Sequence, residues 1–385
     1  MRIGTGLSEH PDPRTAAVEA ATRARAGLGA GTADLVCCFF TGAHLDDPEG
    51  TLDGVHEALA PGALVGCGAA GVVGPGREVE GGDAVVVWAA DLGEGSAETF
   101  HAAVAQVEDG VRVEGFPVLE GASGTILLPD PFSFPTDRVL AELAHAAPGV
   151  PVLGGLASAR GPQGTGTLLV DDRVVSGGAA GVVLRDLELL PCVSQGAAPV
   201  GPELTVTASE DNVILELAGR PALARLRQVL DDELTDVERE MLTGGLLLGL
   251  VIEGGKPEYL QGDFLVRGLI GVDPEVGSVA VGAPVRPGQV VRLHARDAAS
   301  ADRDLRDALE LRRVALGGRP PAGSLVFTCN GRGRGMFGVA DHDALALRDA
   351  FASAPAAGFF AAGEIGPVGG EPFLHSFTAT VAVFG

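Results

Sequence analysis

Cys329-Asn330-Gly331-Arg332-Gly333-Arg334-Gly335 follows directly on the apolar run Leu325-Val326-Phe327-Thr328 and is the strongest chemical signal in the chain. Alternating glycines let backbone N–H groups converge, and two guanidinium forks match the geometry of a carboxylate or phosphate. The loop reads as anion recognition; a nucleotide P-loop is excluded because Gly-Lys-Ser/Thr is missing. A thiol at a strand end beside two arginines is expected to have a lowered pKa. Nucleophilic use of Cys329 needs a base, and His342 and His375 are the histidines in its segment. Glu364, Glu371 and His375 follow, around the Gly/Pro-rich turn Gly366–Pro372. An acid and a histidine near an arginine loop suit the two ends of a zwitterion. The plainer alternatives are a Glu364 ion pair with Arg332 or Arg334, and a purely structural His375. The candidate ligand-binding set is therefore Cys329, Asn330, Arg332, Arg334, Glu364 and His375, with no catalytic residue assigned.

Two other loops stand at corresponding places. Pro129-Asp130-Pro131-Phe132-Ser133-Phe134-Pro135 is stiff and apolar, fit for a pocket wall. Thr41-Gly42-Ala43-His44-Leu45-Asp46-Asp47 holds one imidazole and two carboxylates, a combination too common in loops to argue for metal. No metal or cofactor is expected. The five cysteines, Cys37, Cys38, Cys67, Cys192 and Cys329, include no C-x-x-C pair and are odd in number, so neither a disulfide framework nor a thiolate zinc site is indicated. Cys37 and Cys38 should face opposite sides of a strand.

The elements positioning these residues recur. Leu35–Phe40, Thr125–Leu128 and Leu325–Cys329 are apolar runs, each followed by a polar loop and a helix-like stretch. A G-x-x-A-x-[G/A] signature comes next, at Gly66/Ala69/Gly71, Gly154/Ala157/Ala159 and Gly358/Ala361/Gly363. Further β-rich runs, Ala84–Val87, Ala179–Leu184 and Phe377–Phe384, close each unit. The spacing is too long for a solenoid and predicts three β-α-β-β modules with the signature strands in equivalent places. Thr15–Gly27 and Thr136–Ala146 read as helices, the second with Thr136 as N-cap. Gly166–Val175 reads as a hairpin turning at Asp171-Asp172. The Gly/Ala/Pro-rich stretch Pro191–Pro202 is the expected domain boundary. Beyond it come a strand at Val213–Leu217, a helix opened by Pro221, and four β-runs: Leu246–Ile252, Phe264–Ile270, Ser278–Val281 and Gln289–His294. These predict an antiparallel meander, joined by a helix over Ala301–Arg313 to the last module.

The chain has 385 residues, 46% of them hydrophobic, enough for two cores. Its formal charge of −24, with Lys256 the only lysine, argues against binding to nucleic acid or an anionic membrane, which needs a basic footprint. The N-terminus lacks the basic and apolar regions of a signal peptide, and Leu246–Ile252 is far shorter than a membrane span. A cytoplasmic location is expected.

Ser324–Gly333, followed by Gly358-Phe359-Phe360-Ala361-Ala362-Gly363-Glu364-Ile365-Gly366, resembles the C-terminal half of FIST-domain proteins. Phe264–Arg267 and Arg292–Asp297 extend the likeness, and Gly66–Gly71 resembles the N-terminal half. The resemblance implies a sensory module for small ligands such as amino acids, found beside bacterial signalling domains or a eukaryotic F-box, none of which this chain carries. The expected architecture is α/β: two domains with mixed β-sheets and flanking helices, residues 1–200 holding two modules and 201–385 the meander and the third. The expected function is a ligand-binding sensory or signal-transduction protein, its partners a small anion or zwitterion, such as an amino acid or other small carboxylate, and a signalling protein. A cysteine-dependent enzyme of small-molecule metabolism and a protein-interaction scaffold are the alternatives.

Overall fold

The computed structural model describes residues 1–107, 110–160, 166–259 and 261–385. Its α/β fold consists of two compact units: Met1–Val193 together with Arg306–Gly385, and Ser194–Leu305. This differs from the division expected at residue 200. The third module joins the first two, and the segment between them is an insertion.

Three sheets of one topology build the larger unit. In each, an opening strand runs parallel to a second strand reached through a helix: Leu35–Thr41 to Ala63–Gly68, Gly124–Pro129 to Val152–Gly155, and Gly323–Cys329 to Ala356–Ala361. The intervening helices are Pro48–Leu59, Thr136–Ala146 and His342–Ala350. Closing strands Ala84–Asp91, Ala179–Arg185 and Ala379–Phe384 pair antiparallel with the opening strands. An outer strand lies beyond each: Arg2–Ser8, Ser96–Val107 and Leu189–Ser194. Opening strands are buried on both faces, which explains their unbroken apolar runs. Cys37 and Cys38 do fall on opposite faces, in separate core clusters.

The module differs from the expected β-α-β-β unit by a hairpin placed elsewhere. After each second strand the chain leaves its own sheet and adds a hairpin to the next one. Val72–Val79 pairs with Ala356–Ala361 of the third module. Thr167–Ser176 pairs with Ala63–Gly68 of the first. Glu364–His375 pairs with Val152–Gly155 of the second. The exchange closes a ring. Gly66, Gly154 and Gly358 hold the same register in it, each opposite one residue of its opening strand: Cys38, Leu127 and Val326. At each, an added Cβ would fall on that residue's carbonyl oxygen, so only glycine admits the strand approach. Side chains from all three sheets meet in one core, where Phe359 packs 4.8 Å from Phe39 and 5.6 Å from Phe327, and Trp88 packs 5.1 Å from Phe384.

The second unit is a closed antiparallel barrel. Ala197–Glu210, Val290–Arg296, Leu246–Val251, Phe264–Asp273, Ser278–Val281 and Val213–Leu217 pair in that order, and the last returns to the first. The expected meander is corrected here. The fourth run lies beside the first instead of the third, which is the Greek-key order. Closure removes the edges a meander would expose. Two smaller differences concern helix starts: Pro135, not Thr136, is the N-cap residue of Thr136–Ala146, and Asp12 caps a first helix spanning Pro13–Leu28.

Candidate functional site

Cys329 ends the opening strand of the third module, its Cα paired with Ala361. By register it matches Thr41 and Asp130 in the other modules. Three residues beyond these positions stand His44, Ser133 and Arg332. Ser133 Oγ donates to Asp130 at 2.5 Å, whereas His44 is fully buried with neither ring nitrogen bonded.

Arg332 is 2% exposed. Its Nε and Nη2 donate to the two carboxylate oxygens of Asp343 at 2.8 and 2.9 Å. Thr328 Oγ1 donates to the same carboxylate at 2.5 Å, and His342 Nδ1 lies 2.8 Å from it. This pair holds Asp343 well below the usual carboxylate range, Arg332 overcoming the cost of burial. Arg332 is thus not a free fork: two of its three nitrogens are committed, and only Nη1 has no partner.

Glu364 is fully buried at the start of the exchanged hairpin. Its Oε2 accepts from Thr378 N at 3.0 Å and Thr378 Oγ1 at 2.8 Å. Apart from the facing Cys329 thiol, no group satisfies Oε1. Burial pushes this carboxyl up to about 8, against the opposing effects of Thr378, Cys329 and Arg332. The Cys329 thiol goes up to about 12, by burial first and the Glu364 charge second. The expected lowering of this thiol is therefore corrected. Arg332 spends its charge on Asp343, and desolvation of the sulfur outweighs what remains.

The other expected residues lie apart in role. His375 is buried, and its Nε2 donates to Gly366 O at 2.9 Å within its own hairpin. Asn330 is exposed, with its backbone N–H on Ala361 O. Arg334 is exposed too, and its bonds are made by its backbone: its N–H donates to Glu80 Oε1 at 2.8 Å and its carbonyl accepts from Gly338 N at 2.9 Å. In the barrel, Arg267 is buried.

Sequence reading missed Asp343 and Glu78. Asp343 had a faint signal, as an acid in the first turn of a helix. Glu78 had none, since it arrives on the hairpin of the first module. Its Oε1 accepts from the N–H groups of Asp343 and Ala344 at 2.8 and 3.0 Å, capping the helix that carries Asp343. Burial, then the Asp343 charge, raises Glu78 to about 7. Among the described residues no His/Cys/Asp/Glu group is arranged to hold a metal ion, and no helix is long and apolar enough to cross a membrane.

A three-sheet ring with an inserted barrel, carrying a buried Cys-Arg-Glu cluster at one strand end, defines a two-part α/β protein. Sequence comparison places it: the FIST N domain model matches residues 34–220 and the FIST C domain model residues 222–367, so the chain belongs to the FIST family. FIST domains are associated with sensory or signal-transduction roles. An uncharacterized protein of Mycobacterium tuberculosis is 44% identical over 386 residues, covering all of both chains. An uncharacterized Mycobacterium bovis protein is 42% identical over 386 residues, covering all of this chain and 99% of its own.

Proposed function

We propose that this protein is a cytoplasmic sensor of a small zwitterion, an amino acid being the simplest, bound where Cys329, Arg332 and Glu364 converge. The observation that carries this reading is a pair of leftovers: Arg332 Nη1 and Glu364 Oε1 are buried without nitrogen or oxygen partners. A buried polar group left unsatisfied costs about 1–3 kcal/mol and a charged one more, so such atoms call for an explanation. A ligand carboxylate on Nη1 and a ligand ammonium on Oε1 would satisfy both. The neutral thiol, with its pKa raised, would act as a wall of the site, which weighs against a thiolate nucleophile. Five free cysteines suit a reducing compartment.

Glu364 is mostly protonated at neutral pH, and an ammonium ligand needs its ionised form. Binding should release a proton and tighten as pH rises toward about 8. Titration calorimetry with the standard amino acids, in buffers of different ionisation enthalpy, would read both effects. We expect Glu364→Gln to weaken binding roughly ten- to hundredfold. An amino acid that binds equally well to this variant, or no binding by any of them, would refute the reading.

A further inference from the structure

The barrel has a cleft unrelated to the Cys329 cluster. It lies between the loop after Leu246–Val251 and the turn before Val290–Arg296, with a volume of about 410 Å³. Size and lining suit a small ligand. Its walls are fastened by side-chain bonds that set their spacing. Gln289 Nε2 donates to Val251 O at 3.1 Å, while its Oε1 accepts from Arg286 N at 3.3 Å, so one side chain ties both loops. Tyr259 Oη accepts from Gly255 N at 3.0 Å and fixes the far wall.

Two donors remain free to act in this cleft. The Arg286 guanidinium is exposed and has neither an ion pair nor a hydrogen bond among the described residues, although the chain carries a formal charge of −24. Tyr259 accepts through its hydroxyl oxygen, which leaves its own O–H proton to donate. The nearby Lys256 is not available in the same way, since Asp263 holds it at 2.7 Å and Glu253 at 3.8 Å. Val251, Ile252, Pro287 and Val290 supply apolar surface between the donors.

We propose that this cleft is a second ligand site, taking a small organic carboxylate with a compact apolar body. The carboxylate sits on Arg286 and the Tyr259 hydroxyl, and the body lies on the valine, isoleucine and proline surface. Arginine suits the planar carboxylate, and the apolar walls favour an organic anion over inorganic phosphate.

Tyr259 is the only tyrosine, so protein labelled with ring-¹³C tyrosine gives a single reporter by NMR. Benzoate should shift this signal saturably, with a Kd below about 10 mM, while its neutral isostere benzamide and inorganic phosphate should not. Arg286→Gln should weaken benzoate by about tenfold or more with an unchanged melting temperature, because the side chain is exposed. Glu364→Gln should leave the response intact, which separates this site from the one at Cys329. Any of three results overturns the proposal: no saturable benzoate shift, an equal response to benzamide, or benzoate affinity indifferent to Arg286→Gln.

Discussion

At the scale of residues, the cluster around Cys329 shows how far a local pattern reaches. The loop of alternating glycines and arginines was legible, as was the nearness of Glu364. The partner that captures Arg332 was not, because Asp343 lies on the next helix and is fixed by Glu78 from another module. Glu78 also sets a dependence on pH. Its folded pKa of about 7 lies above its ordinary 4.5, so the folded state holds the proton more tightly. That contribution is complete below about pH 4.5 and is lost as pH rises through 7. The groups facing it, Asp343 and Glu80, are acidic and act in the same direction. Glu78→Gln keeps an acceptor for the two helix amides but cannot ionise. We expect it to match the parent near pH 4 and to exceed it by about 3 kcal/mol at pH 8.5. Thermal melts at both pH values check this. A difference that does not change with pH would show that ionisation of Glu78 is not the cause.

At the scale of elements, the repeat was visible because small residues recur at fixed distances from apolar runs. Equivalence of Gly66, Gly154 and Gly358 follows from that spacing and holds in the structure. The destination of the hairpins was hidden. Thr167–Val170 and Arg173–Ser176 read correctly as a hairpin, yet no local pattern says which sheet receives it. Any second strand with a free edge offers the same backbone ladder. The same limit explains the barrel: four alternating runs show strands but not the Greek-key order that joins the fourth to the first. The glycines are the testable part. A methyl at any of the three strikes a backbone oxygen of the adjoining strand, which cannot move without breaking the ladder. Each Gly→Ala change should cost at least about 3 kcal/mol, beyond the usual range for a single substitution. Chemical denaturation of the three variants should give similar losses. A variant within about 0.5 kcal/mol of the parent would mean that this strand pair has slack.

At the scale of the whole molecule, the exchanged hairpins make the three modules one cooperative object, and this decides where the chain can be cut. Composition placed a boundary near residue 200, and the two family models meet at residues 220 and 222. Neither point separates the compact units, since the ring needs Arg306–Gly385 and the barrel spans Ser194–Leu305. Residues 1–200 alone would hold two modules with an open ring. Val72–Val79 would lose its host strand Ala356–Ala361, and Val152–Gly155 would lose its guest Glu364–His375. Phe39 and Trp88 would lose Phe359 and Phe384 from the shared core. Two unpaired edges and a half-open apolar core predict aggregation or a loose collapsed state. The barrel is different, because every one of its strand pairings is internal and its core is its own. Residues 194–305 should therefore fold alone with a single melting transition and dispersed amide signals, whereas residues 1–200 should show neither. Circular dichroism melts and amide spectra of the two fragments would decide it. A cooperative, monomeric 1–200 fragment would show that hairpin exchange is incidental to folding, and an unfolded 194–305 fragment would show that barrel closure does not suffice for stability.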